Sequence, residues 1–226
     1  MSDTGPRLRA LRIWAKRENM FLAILERALR LLRMEEDLPR SETDLNRRLY
    51  FCLLAASREL YPTDSVAPIS ECNNQPDPDD KSRVARAHKR PDFQWVYLDR
   101  YEPDPKRSSR QFVVECKRLG ESSRADWVFN MNYVRHGICR FRNPQWAYAQ
   151  RFRSGAMVGY LQSMEPTKVL REVNEEARRN SLANIVLTGP PTSGIHRLRH
   201  TFERSFDVSP FVLCHLWIDM RSSGNE

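Results

Sequence analysis

Apolar residues recur at Leu8, Leu11, Trp14, Phe21, Ile24, Leu25, Ala28 and Leu32, the spacing of one helical face, and predict a long helix over Arg7 to Met34. Asp37, Pro39 and Ser41 break it. Ser41 with Asp44 three residues on forms a capping-box pattern. It predicts a second helix ending near Leu60, with a buried stripe of Leu45, Leu49, Cys52, Leu53, Ala56 and Leu60. From Tyr61 to Arg90 the periodicity gives way to prolines, asparagines and aspartates, which predicts a loop, mobile at Gln75 to Asp80. Phe93 to Asp99 and Gln111 to Cys116 are rich in β-branched and aromatic residues around Pro103-Asp104-Pro105-Lys106, and predict an antiparallel hairpin. Residues 118–163 read as a mixed, helical stretch in which Gly137, Gly155 and Gly159 mark turns. A charged helix over Pro166 to Asn180 and strands over Asn184 to Thr188, Ile195 to Phe202 and Phe211 to Asp219 complete the pattern. Helices at both ends of a strand set predict an α/β or α+β fold, a sheet flanked by helices. The expected organisation is a helical N-terminal extension over 1–40 and one domain over 41–226.

Composition narrows the class. The 226 residues are 40% hydrophobic and 29% charged, with a mean hydropathy of -0.65, as expected of a water-soluble globular chain. The best apolar run, Phe211 to Ile218, is far shorter than the roughly 20 residues a bilayer needs, so no membrane partner is expected. Met1 to Ala10 lacks the apolar region of a secretory signal, and the five cysteines contain no Cys-x-x-Cys pair. These features point to a reducing cytoplasm and away from a disulfide framework or zinc ribbon. The 37 basic residues exceed the 29 acidic ones, leaving +8. Most of the surplus lies in residues 118–163, which hold seven arginines, no lysine, two acids and eight aromatics. Arginine interleaved with aromatics suits a surface that tracks phosphates and stacks bases, which nominates Arg118, Arg124, Arg135, Arg140 and Arg142. A helical region with core aromatics and solvated arginines is the competing reading.

The chemistry-bearing segment is Pro91-Asp92 followed, 23 residues after the aspartate, by Glu115-Cys116-Lys117. The chain has four Pro-Asp dipeptides and three acid-x-Lys triplets, but only this combination has predicted strands on both sides. A turn centred between Asp104 and Pro105 gives paired residues an index sum near 209. Asp92 then falls opposite Lys117, with Glu115 diagonal to it. Strand alternation puts Glu115 and Lys117 on one face and Val114 and Cys116 on the other. Two carboxylates and an ammonium on one sheet edge suit Mg²⁺, which takes one or two carboxylates plus water and phosphate oxygens. Asp92 and Glu115 would hold the ion, while Lys117 would orient the attacking water and offset transition-state charge. Six lysines against 31 arginines make a lysine at this place less expected by chance. An exposed cross-strand Asp92 to Lys117 pair is the structural alternative.

These residues resemble the motif of the PD-(D/E)XK nuclease superfamily, over about residues 41 to 120. The resemblance implies a restriction-endonuclease-like central mixed sheet flanked by helices and Mg²⁺-dependent phosphodiester hydrolysis, with Mn²⁺ substituting. It also implies a neutral ligand from the Cys116 backbone carbonyl and a further acid from a helix preceding the hairpin. Stepping back three places from the stripe of Cys52, Leu49 and Leu45 selects Glu42, whereas Asp44 lies on another face. Glu42 read simply as a first-turn acid favoured by the helix dipole is an equal alternative. The expected activity is a DNA endonuclease of the kind used in restriction, repair or anti-phage defence, acting as a homodimer or with partner subunits. An RNA-directed nuclease and a catalytically silent nucleic-acid-binding or scaffold protein are the alternatives. His196 and His200 are four apart on a predicted strand with no third ligand, so zinc is not expected. His88, four residues before Asp92, and His136, in the arginine window, are each placed to touch phosphate but read first as surface residues, and His215 reads as a core residue.

Overall fold

The computed structural model describes residues 5–64, 66–74, 83–121, 128–206 and 208–221. It opens with α1 (Gly5–Arg33) and α2 (Glu42–Leu60). Ser41 caps α2, its Oγ accepting from the Asp44 backbone N–H at 3.1 Å, which satisfies one of the donors a helix start leaves unpaired. Leu45, Leu49, Cys52, Leu53 and Ala56 are buried as the stripe predicts. Leu60, the last residue of the helix, is 39% exposed instead.

The segment expected to be a loop contains strand β1 (Ile69–Ser70) and the short α3 (Arg83–Ala87). Residues 75–80, where mobility was expected, lie outside the described residues. The hairpin forms from β2 (Phe93–Leu98) and β3 (Ser109–Leu119). Its register differs from the expected one: Phe93 pairs with Val114 and Leu98 with Ser109, an index sum of 207. The reason is the turn, where a 3₁₀ segment at Pro105–Arg107 follows an Asp99 N–H to Ser108 carbonyl bond and moves the midpoint back by one residue. The shift of two preserves the side-chain parity. Continued one step, the ladder puts Asp92 opposite Glu115 rather than Lys117.

Beyond β3 one helical run comprises α4 (Phe129–Tyr133), a π-helical turn (Val134–Ile138) and α5 (Cys139–Arg142). It leads to β4 (Ser154–Leu161), followed by α6 (Pro166–Arg179), β5 (Val186–Leu187), β6 (Ile195–Phe202) and β7 (Phe211–Asp219). The strand β4 overturns the helical reading of residues 118–163. It is buried at every position between parallel neighbours, so it has no polar alternation to betray it. Gly155 and Gly159 are strand residues, not turns. A Cβ on Gly159 would meet the Leu119 and Trp217 side chains, and one on Gly155 would come within 2.8 Å of the Phe141 ring.

The seven strands form one mixed sheet, ordered β1-β2-β3-β4-β7-β6-β5. The registers put Val114, Ala156 and Cys214 in one row and Glu115, Met157 and His215 in the next, so the two rows face opposite sides. On the first side α1 stacks Phe21 on Trp95 at 5.2 Å between ring centroids and Trp14 on Phe152 at 3.6 Å. On the other, Tyr133 and Phe141 pack on Trp217 and Phe211. His215 is fully buried as expected of a core residue, its Nδ1 2.7 Å from the Tyr133 hydroxyl. The described residues contain no helix long and apolar enough to cross a membrane, and all five cysteines are free thiols.

Candidate active site

Asp92 immediately precedes β2, and its carboxylate takes the place of a ladder acceptor. Oδ2 accepts from the Cys116 N–H at 2.6 Å, while the Asp92 carbonyl accepts from Glu71 N–H at 3.1 Å. The aspartate is thereby held at the strand end beside Glu115. Glu115 is fully buried in the middle of the sheet's second face. Its Oε1 meets Lys117 Nζ at 3.0 Å and Arg140 Nη1, and its Oε2 has no hydrogen-bond partner. A buried carboxylate oxygen left unpaired is costly, and marks a place that a cation or donor would complete.

Lys117 carries the geometry furthest. Its ammonium lies 2.8 Å from Glu42 Oε1 and 2.7 Å from the Cys116 carbonyl, besides Glu115 Oε1. Three oxygens from two elements therefore surround one cation. Glu42 is brought in by the α2 N-terminus, where Oε2 also accepts from the Arg118 N–H at 3.2 Å. Tyr160 on β4 holds the same end of α2 through a 2.7 Å bond to Asn46 Oδ1. Asp44 faces away, bonded to Ser41 and Arg47. Gly137 in the π-turn permits the close approach, since a Cβ there would fall 2.5 Å from Met157 Cε and 3.5 Å from Lys117 Cγ.

Electrostatics follow from the burial. Burial pushes the Glu115 carboxyl up to about 8, and Asp92 adds to the rise, while Lys117 and Arg140 oppose it. Asp92 is pushed up to about 6, again by burial first, against Lys117 and the Cys116 N–H. Burial works to lower the Lys117 pKa, but Glu115, Asp92 and Glu42 together outweigh it and raise it above the ordinary lysine value. Lys117 is thus an ammonium at neutral pH, a donor and counter-charge rather than a proton acceptor.

The donor set suits a hard divalent cation. Two adjacent carboxylates, each destabilised as an anion, with the Cys116 carbonyl alongside, match the one or two carboxylates Mg²⁺ takes from protein. No cluster of three or more His, Cys, Asp or Glu side chains placed to hold a metal occurs among the described residues.

A cavity of ≈ 330 Å³ opens beside the group, lined by Glu42, Lys117, Arg118, Asn132, His136 and Arg140, with Phe129 at its wall. Of the nominated arginines, Arg118 and Arg140 reach this cavity. Arg118 lies 4.2 Å over the Phe129 ring, and Arg140 lies 4.2 Å over Trp146 while contacting Glu115. Arg135 and Arg142 turn to α6, pairing with Glu176 at 2.5 Å and donating to the Asn180 carbonyl at 2.6 Å. Arg124 lies outside the described residues. The expectation of a base-stacking aromatic surface is corrected for Tyr133, Phe141, Tyr148 and Tyr160, which are fully buried and pack the core. Among the described aromatics of residues 118–163, Trp146 alone is half-buried.

One residue of the cavity, Asn132, escaped the sequence reading, and a second, His136, reads there first as a surface residue. Asn132 is 5% exposed and its Nδ2 has no partner. His136 is exposed, and burial followed by Arg140, Lys117 and Arg135 lowers its pKa, keeping it neutral at pH 7. The available signal was Gly137, a glycine inside a helical run, which here marks a π-turn of the kind frequent at functional sites. Comparison with protein-family models, with curated proteins and with solved structures finds no match.

Proposed function

We propose that this chain is a metal-dependent phosphodiesterase acting on nucleic acid, with a sheet of the restriction-endonuclease-like type. The observation that carries the reading is the convergence of Asp92, Glu115, Lys117 and Glu42 from a hairpin and a helix start, beside a cavity that Glu42 and Lys117 line and whose other side chains are cationic or neutral. Mg²⁺, or Mn²⁺ in its place, would be held by Asp92, Glu115 and the Cys116 carbonyl, with Glu42 beside them, and would supply Lewis acidity and a bound water of lowered pKa.

The chain's own residues do the rest. Lys117, kept protonated by the acids around it, donates to the attacking water and offsets the charge that grows on the phosphate oxygens. Glu42 fixes where that ammonium sits. Arg118 and Arg140 supply guanidinium charge for the phosphate, for which a planar fork of donors is suited. DNA is the substrate favoured by the family resemblance.

The test is incubation of labelled DNA and RNA with Mg²⁺, Mn²⁺ and EDTA, for the wild type and for Asp92→Ala and Lys117→Ala. Cleavage is expected with either metal, and none with EDTA or either variant. Cleavage that survives EDTA or Asp92→Ala would refute the assignment, and binding without cleavage would leave a nucleic-acid-binding protein.

A further inference from the structure

Beside the cavity that holds Lys117 lies a second one of ≈ 530 Å³, bordered by Arg40, Glu121, Gln162 and Ser163. Arg118 and Phe129 line both. The two spaces are neighbours across a single Arg-on-aromatic pair, 4.2 Å from guanidinium to ring centroid. Around that divide sit donors the fold leaves unused: Arg118 Nε and Asn132 Nδ2 are buried and have no hydrogen-bond partner. Arg118 is otherwise held by long contacts only, its Nη1 3.4 Å from the Arg40 carbonyl.

Building on the phosphodiesterase reading, we infer that the two cavities take successive nucleotides of a single-stranded nucleic acid, with Arg118 at the phosphate between them. Proteins that read duplex DNA push a helix or a β-ribbon into a groove. Here the cationic groups are recessed in two compartments, each within the 300 to 1,000 Å³ range of small-ligand pockets. A base held in a duplex cannot enter such a space, whereas an unpaired or extruded one can. The compartments also differ in chemistry. The first is walled by Lys117, Arg118, Arg140 and Asn132, with the Glu42 carboxylate engaged by Lys117, and suits a phosphate. The second offers the Gln162 amide and the Ser163 hydroxyl, with the Phe129 and Met220 side chains as apolar lining and the exposed Arg40 beside them. Gln162 Nε2 is already committed to the Arg40 carbonyl at 2.9 Å, which fixes the amide so that its oxygen is presented in one direction.

The test measures binding in EDTA, by fluorescence anisotropy, of single-stranded DNA, single-stranded RNA and duplex DNA of one sequence and length. Arg40→Glu changes an exposed side chain and keeps the carbonyl that Arg118 and Gln162 use, so it does not threaten the fold. Arg118→Lys keeps the charge but loses the stacked plane. The expected result is at least one single strand bound about tenfold tighter than duplex, the scale of one stacked base, with both variants weakening that binding. The DNA and RNA arms identify which sugar is preferred. Duplex bound as tightly as either strand, no single strand bound, or single-strand binding untouched by both variants would overturn the inference. Single-strand binding without cleavage on adding Mg²⁺ would remove the catalytic reading and leave this one; cleavage confined to duplex would do the reverse.

Discussion

Lys117 Nζ lies 2.8 Å from Glu42 Oε1, joining a strand of the central sheet to the first residue of a helix 75 positions earlier in the chain. An acid at a helix start is often favoured by the dipole alone, but this one is also bonded to the Arg118 N–H. Glu42→Gln keeps an acceptor for that N–H and removes the charge facing Lys117. Cleavage is expected to fall about 10- to 100-fold, the usual effect of losing an orienting partner, and less than in Asp92→Ala. Initial rates on a labelled oligonucleotide measure it. An unchanged rate would make Glu42 a first-turn acid and nothing more.

The two raised carboxylates give stability a distinctive pH dependence. Burial pushes Glu115 from 4.5 to about 8 and Asp92 from 3.8 to about 6. Between about pH 4 and 8 the folded state therefore binds more protons than the unfolded chain, so this contribution to stability falls as pH rises. The buried histidines work in the opposite sense. His200 is lowered to about 4 and His215 well below its ordinary value, both by burial first, and their contribution is lost as pH falls below about 6.5. Glu115→Gln isolates the first effect. Measured in EDTA, its melting temperature relative to wild type should climb from pH 5 to pH 8, and a difference that does not vary with pH would contradict the burial of a charged Glu115.

Arg140 holds Glu115 from the cavity side, so it competes with any cation that Glu115 binds. Arg140→Met should raise the affinity of the substrate-free protein for Mn²⁺, because one repelling charge is gone, while lowering nucleic-acid binding. Isothermal titration with Mn²⁺ and a separate oligonucleotide titration read the two effects. Weaker Mn²⁺ binding in the variant would show that Arg140 supports the carboxylate rather than opposing the metal.

The central strand offers a stability test apart from the chemistry. A Cβ at Gly159 would lie 2.5 Å from Trp217 Cδ1 and collide with Leu119, both buried, so Gly159→Ala should cost about 1–3 kcal/mol by overpacking. Gly137→Ala meets the terminal Met157 methyl, which can turn aside, and should cost less. Chemical denaturation of both variants checks the order.

The amphipathic helices, the hairpin and the acid-x-Lys triplet were legible because each writes a local period or spacing into the chain. Ser41 and Asp44 announced the start of α2, and the face of Leu45 and Leu49 pointed to Glu42, which lies 2.8 Å from Lys117 Nζ. What was not legible depends on tertiary burial. Met157, Val158 and Tyr160 form a strand with no polar face, and its glycines read as turns until Leu119 and Trp217 are seen against them. The register of Asp92 depended on a 3₁₀ turn at Pro105–Arg107 that proline content alone does not locate. Tyr133 and Phe141 look the same in sequence whether they stack bases or fill a core. Asn132 became a candidate only through the cavity it lines.

The proposed chemistry turns on a divalent cation held by Asp92 and Glu115. Anomalous diffraction from crystals soaked in Mn²⁺ tests it most directly. A single strong peak is expected about 2.0–2.2 Å from an oxygen of each carboxylate, close to the distances of Mg²⁺ coordination, and is expected to vanish in Asp92→Ala. Full Mn²⁺ loading in solution with no peak between these two side chains, or a peak held elsewhere in the chain, would contradict it.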